Sequence, residues 1–221
     1  MPLPMVHLAI AVKYFEDQCI PNSFFLGSIA PDSIHMRNNA SRDDKSRTHF
    51  GGQQTDPILL ENYYKEYISQ KIDSDWRWFV KGYFAHVLTD YYWVKSVYHR
   101  FKEEALENKL TNEGIRTKYY LETDEVDFFL YETKEWKHKV WNGLVHTKIY
   151  SIDPLLNEEE INFWRLRTIH WFDLITSKPG IEPQYITKLL VEEFIEQTAE
   201  KVRTTIDDWD IKLFEEVSNI S

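Results

Sequence analysis

The segment Asp75–Glu107, DWRWFVKGYFAHVLTDYYWVKSVYHRFKEEALE, decides the fold class. Its large apolar residues Trp76, Phe79, Val80, Tyr83, Val87 and Tyr91 recur at intervals of three and four. That is the period of one face of an α-helix, not the alternation of a strand. Asp73, Ser74 and Asp75 stand before it as N-cap candidates.

The same texture extends in both directions. Upstream, Met5–Glu16 reads as a helix after Pro4, with His7, Ile10, Ala11 and Tyr14 on one stripe. Phe24–Ile29 is a short apolar run stopped by Pro31-Asp32, Arg37–Gln54 reads as polar loop, and Pro57–Ile72 reads as a helix carrying Leu60, Tyr63, Tyr64 and Ile68. Downstream, helices are expected over Asp124–His138, Glu158–Thr176, Pro183–Thr204 and Asp207–Val217. The chain has only seven glycines, and Asn142-Gly143 is its one hairpin-type Asn-Gly, which argues against antiparallel sheet. No internal repeat, low-complexity run or linker divides the chain. The expectation is all-α: a single-domain multi-helix bundle over residues 1–221.

Thirteen Phe, thirteen Tyr and eight Trp supply a core that needs no disulfide staples. The lone Cys19 cannot form an internal disulfide; it fits a reducing compartment and reads as a small buried hydrophobe. Met1–Val12 lacks a cationic region and its apolar run is broken by His7, a poor signal peptide, and no stretch approaches the ~18 apolar residues of a membrane span. A soluble, cytoplasmic protein without stable membrane insertion is expected. A net charge of −10 disfavours duplex nucleic acid and anionic membrane as partners. It leaves room for a small phosphorylated substrate at a local positive site. Arg37, Arg42, Lys45 and Arg47 outnumber Asp43 and Asp44 in one stretch that runs against the trend.

The chemistry begins at His86 and Asp90, four residues apart and therefore on one helix face, roughly 6 Å between Cβ atoms. The surrounding helix is apolar and aromatic, so both groups face burial and need a partner. A metal ion is one answer and a plain His–Asp hydrogen bond is the other. His7 on the first helix, Asp32 after Pro31 and His49 after the basic stretch each admit an ordinary reading as core histidine, cap and loop residue. Together, five N/O ligands of a kind that suits zinc lie in order between positions 7 and 90.

Met5-Val-His-Leu-Ala-Ile-Ala, Leu26-Gly-Ser-Ile-Ala-Pro-Asp, Thr48-His-Phe and Phe79-Val-Lys-Gly-Tyr-Phe-Ala-His-Val-Leu-Thr-Asp occur in that order. The set resembles the motifs of the zinc-dependent phospholipase C family, which is related in fold to single-strand-specific nucleases of the S1/P1 type. The resemblance covers roughly residues 5 to 93. It implies an all-helical fold whose helices project His and Asp toward up to three zinc ions, with His7, Asp32, His49, His86 and Asp90 as metal ligands. Asp32 would also match a bridging carboxylate that orients or deprotonates the attacking water. Secreted family members use their processed amino-terminal residue as a ligand, whereas here Met1 lies six residues before His7. The family's later His and His-x-x-x-Glu pair have no counterpart expected here. Glu122-Thr-Asp-Glu-Val-Asp, offering Glu122, Asp124 and Asp127, is the nearest substitute and reads as solvated capping near a helix start. One or two Zn2+ ions are therefore expected, with other divalent transition metals as alternatives.

His35, three residues after Asp32, is a candidate ligand or proton donor, and Arg37 a candidate clamp on a phosphate oxygen. His99, His138, His146 and His170 lack a partner at convincing spacing and read as core or surface residues. The resulting expectation is a hydrolase that cleaves a phosphoric ester by a metal-activated water, with Asp32 and His35 catalytic. Its substrate would be a small phosphorylated ester or a phospholipid headgroup. No G-x-S-x-G elbow, P-loop or G-x-G-x-x-G is present, and the His-Asp dipeptide of HD-type phosphohydrolases is absent. The alternative is a non-catalytic helical binding or scaffold protein that keeps the metal.

Overall fold

A computed structural model describes residues 3–16, 18–51, 57–175 and 178–218. Ten α-helices run through them: α1 (Pro4–Tyr14), α2 (Asn22–Gly27), α3 (Arg42–Thr48), α4 (Pro57–Ile68), α5 (Ser74–Trp93), α6 (His99–Glu107), α7 (Asn112–Thr133), α8 (Lys137–His146), α9 (Glu158–Leu174) and α10 (Lys188–Ser218). A 3-10 helix, Ala30–Met36, follows α2, and a π-helical stretch, Val94–Tyr98, joins α5 to α6. No strand forms among the described residues; Ile152 and Leu156 make an isolated bridge. The fold is all-α. No helix among the described residues is long and apolar enough to cross a membrane.

Helix α5 is the axis of the molecule. Asp73 caps it by accepting the Asp75 N–H at 2.9 Å, satisfying one of the donors that a helix start leaves open. From Trp76 to Trp93 most of its side chains are buried, on more than one face, so it packs against neighbours all round rather than along a stripe. Trp209 of α10 packs on Tyr64 of α4, ring centroids 5.2 Å apart, and Tyr64 in turn meets Phe84 of α5 at 5.4 Å. On another side α2 crosses α5 with the two backbones in contact. A Cβ on Gly27 would lie 2.1 Å from the Phe79 carbonyl oxygen, and one on Gly82 would lie 2.2 Å from that of Phe24. Only glycine at both positions permits that crossing.

Several boundaries differ from the sequence expectation, each for a physical reason. The stretch read as polar loop over 37–54 contains α3, because Ser41 and Asp44 form a capping box: the Ser41 hydroxyl accepts the Asp44 N–H and Asp44 accepts the Ser41 N–H. The helix is short and polar, so hydrophobic periodicity carries no sign of it; residues 52–54 of that stretch lie outside the described residues. Helix α7 begins at Asn112, capped by Thr111, rather than at Asp124. The run Glu122–Asp127 is therefore mid-helix, with Glu122, Glu125 and Asp127 buried rather than solvated caps. Helix α10 passes through Asp207 unbroken, and Cys19 is exposed rather than buried.

Replacing Gly82 by alanine would drive a methyl into the α2 backbone, which cannot rotate aside as a side chain can. The expected cost is at least about 3 kcal/mol, the upper end for overpacking. Urea unfolding reads it directly, and an unchanged midpoint for Gly82→Ala would show that the crossing is not a constraint.

Candidate metal centre

Five side chains from four elements converge beneath the α2–α5 crossing. His86 and Asp90 project from α5 and His7 from the second turn of α1. Asp32 lies in the 3-10 helix, and His49 is the C-cap of α3. All five are buried. Asp90 is the hub: its Oδ1 lies 3.5 Å from His7 Nε2, and its Oδ2 lies 3.6 Å from His49 Nε2 and 4.0 Å from His86 Nε2. Asp32 closes the other side, with Oδ1 3.6 Å from His49 Nε2 and Oδ2 3.9 Å from His86 Nε2. The His7 and His86 rings stack face to face, centroids 3.7 Å apart.

Two of the three imidazoles are aimed by backbone carbonyls. The Ser28 carbonyl accepts the Nδ1–H of His86 at 2.9 Å, and the Lys45 carbonyl accepts that of His49 at 3.0 Å. A carbonyl can only accept, so in both rings Nδ1 carries the proton and Nε2 presents its lone pair to the cluster. The Tyr83 hydroxyl donates to the Thr48 carbonyl at 2.6 Å, which ties the end of α3, and with it His49, to α5. Met5 N–H donates to Asp127 Oδ1 at 3.0 Å, fixing the start of α1 two residues before His7.

His7 Nε2, His86 Nε2 and Asp90 Oδ1 are buried without a hydrogen-bond partner. Buried polar atoms are ordinarily paired, and an unpaired carboxylate oxygen is costly. The donor atoms of His7, His86 and Asp90 lie within 4.8 Å of one another, as do those of Asp32, His49 and His86. Tetrahedral zinc with bonds of ~2.0–2.1 Å separates its ligands by roughly 3.4 Å. The spacings of 3.5 to 4.0 Å between these His and Asp donors therefore fit a divalent ion with slight contraction. Asp32, His49 and His86 outline one position. His7, Asp90 and the shared His86 outline a second.

The charge states agree with that fit. Burial, reinforced by His86 and opposed by Asp32, holds His7 well below the usual histidine range. Burial likewise lowers His86, against the pull of Asp90 and Asp32. Neutral imidazoles are the form that binds metal. Burial works against charge on Asp32, yet the Lys45 ammonium beside it, with His49 and His86 as neighbours, holds its carboxyl well below the usual carboxylate range.

The other candidates fall elsewhere. His35 stands at the edge of the cluster, half-exposed, its Nε2 3.6 Å from Asp32 Oδ1 and 2.8 Å from Lys45 Nζ. Arg37 is not brought into the group. Its guanidinium donates to both oxygens of Glu160 at 2.7 and 3.1 Å and to the Leu155 carbonyl at 2.8 Å. Glu122 accepts the backbone N–H groups of Gln184, Tyr185 and Ile186, and Glu125 those of Gly180 and Ile181. The acidic run thus clamps the segment leading into α10. One His-x-x-x-Glu spacing does occur, contrary to expectation: His99 and Glu103 pair at 3.2 Å on α6. They are solvent-exposed, as are His138, His146 and His170.

Two features of the site are silent in sequence. Lys45 reads as one cation among four until α3 turns it onto Asp32. A cavity of about 300 Å³, lined by Tyr120, Asp124, Asp127, Trp164, Arg167 and Trp171 among others, opens beside it. The Trp164 ring lies 5.7 Å from that of His35, so the cavity reaches the residue at the edge of the cluster, yet its aromatics are indistinguishable in sequence from core. No protein family, curated protein or solved structure matches this chain.

Because His7 and His86 sit below their unfolded value of about 6.5, the unfolded chain binds protons that the folded, metal-free protein does not. Stability is therefore full above about pH 6.5 and falls below it, by up to ~1.4 kcal/mol per pH unit for each histidine. Urea midpoints of chelator-treated protein at pH 7.5 and 5.5 test this. A midpoint that rises on acidification would contradict neutral, buried imidazoles.

Proposed function

We propose that this chain is a zinc-dependent hydrolase that cleaves a phosphoric ester with a metal-activated water. The observation that carries the reading is the convergence of His7, Asp32, His49, His86 and Asp90, with unpartnered buried donors on His7, His86 and Asp90. Mixed imidazole and carboxylate donors suit zinc, with other divalent transition metals next. The resemblance over residues 5 to 93 supports the same choice. A divalent ion held there supplies Lewis acidity, acidifying a water toward a pKa of ~7 and neutralising charge that develops on phosphoryl oxygens.

The side chains supply the rest. Asp32, His49 and His86 would hold one ion, and His7, Asp90 and the shared His86 would hold a second; the Nδ1 protons of His49 and His86 rest on carbonyls. Asp32 stands between the ligand group and the open edge. Its carboxylate, kept ionised beside Lys45, orients the attacking water and takes its proton. His35 lies 3.6 Å from Asp32 Oδ1 and is half-exposed. Lowered first by burial and then by Lys45, it is neutral and passes that proton between Asp32 and solvent. The adjoining aromatic cavity has room for the organic part of a small ester or a phospholipid headgroup.

Zinc-loaded protein is expected to hydrolyse a chromogenic phosphate ester and to stop when the metal is chelated. Asp32→Asn should lower the rate by about 10²–10⁴-fold, the range for a lost general base, and His86→Ala should remove metal and activity together while circular dichroism stays helical. Loaded protein inert toward monoesters, diesters and phospholipids would defeat the enzyme reading and leave a metal-containing binding or scaffold protein.

A further inference from the structure

The open edge of the cluster carries a built-in positive charge. Lys45 Nζ lies 3.2 Å from Asp32 Oδ1 and 2.8 Å from His35 Nε2, on a half-buried side chain. An ammonium has three N–H donors and no acceptor. Two are engaged by Asp32 and His35, and one remains. The same residue's carbonyl accepts the Nδ1–H of His49 at 3.0 Å, so the backbone that aims a ligand also delivers the cation. The Ser41–Asp44 capping box fixes the short helix from which both arise. Arg37, the other cation expected to meet phosphate, is bidentate on Glu160.

We propose that Lys45 is the phosphoryl-binding cation of this site, and that it favours a dianionic phosphate monoester over a monoanionic diester. The substrate preference rests on the hydrolase reading above; the anion-binding role does not. Coulomb attraction scales with ligand charge, so one fixed ammonium interacts about twice as strongly with a dianion as with a monoanion at the same distance. A terminal phosphoryl group also has three unsubstituted oxygens, enough to meet the His/Asp cluster and Lys45 at once, whereas a diester has two. Asp32 and Asp90 together offset the charge of one divalent ion, and Lys45 adds positive charge at the edge where an anion arrives.

The test is calorimetric titration of inorganic phosphate into zinc-loaded wild type, Lys45→Met and Lys45→Arg, with zinc content and helicity measured on each. Lys45→Met keeps the aliphatic stem and the backbone carbonyl that supports His49. It is expected to retain its zinc and to bind phosphate ~10- to 100-fold more weakly, the range for a lost charge-assisted hydrogen bond. Lys45→Arg should restore most of that affinity. The ratio of kcat/KM for a chromogenic monoester to that for the diester should fall about tenfold or more in Lys45→Met. Unchanged phosphate affinity at equal zinc content overturns the assignment. So does a gain of one zinc equivalent with unchanged affinity, which would make Lys45 a competitor for a metal position. Zinc-loaded wild type that binds phosphate through Lys45 yet hydrolyses neither ester would defeat the hydrolase reading and leave the anion site standing.

Discussion

Where α2 crosses α5, Gly27 and Gly82 bring two backbones together with no side chain between them. The contact does more than pack the core. Ser28 follows Gly27, and its carbonyl receives the Nδ1–H of His86, one turn along α5 from Gly82. Larger residues at the crossing would lift α2 away and withdraw that carbonyl. His86 would then lose both its tautomer and its aim. Asp32 follows five residues after Gly27 on the same path, so its distance from Asp90 also depends on how closely α2 lies on α5. The ligand geometry is thus set by a steric condition at two residues that bear no donor of their own.

That condition explains why the cluster can remain in an unfavourable arrangement. Two carboxylates and three imidazoles are buried together, and no arginine enters the group. Neutralising the imidazoles removes part of the cost, and Lys45 offsets part of the charge on Asp32. Among the described residues Asp90 has no comparable cation in contact, and its Oδ1 lacks a hydrogen bond. A packed interior holds such groups when the surrounding structure over-determines them, as the helix crossing, the Tyr83–Thr48 bond and the Met5–Asp127 bond do here. A divalent cation held by His7, His86 and Asp90 would meet an unpartnered atom of each.

Much of this arrangement is legible in the amino-acid sequence. The 3.6-residue period of α5 places His86 and Asp90 on one face, and the ordered motifs name the five residues that converge. Gly27 and Gly82 stand as letters within those motifs, but their role does not show there, because a close crossing is a relation between two elements. Helix α3 escapes for a different reason: a capping box and seven polar residues leave no hydrophobic signature. Lys45 is hidden with it, since its contact with Asp32 exists only once α3 has turned. The continuous α10 shows the opposite failure, where Asp207 offers a local start signal that tertiary packing overrides.

The two parts of the chain serve the cluster differently. Residues 5 to 93 contain every side chain of the cluster, and their type and spacing fix its geometry. The remainder supports them through contacts that many sequences can make. Asp127 holds the first turn of α1 through one backbone N–H, and Glu160 holds Arg37 beside the 3-10 helix that bears Asp32. Glu122 and Glu125 hold the approach to α10 through five more. A carboxylate on a backbone N–H carries no sequence signature, because another buried acceptor at a neighbouring turn would serve as well. Chemistry is therefore written in the first half of the chain as identity and spacing, while the second half is written as burial. Only the first kind reads as a motif.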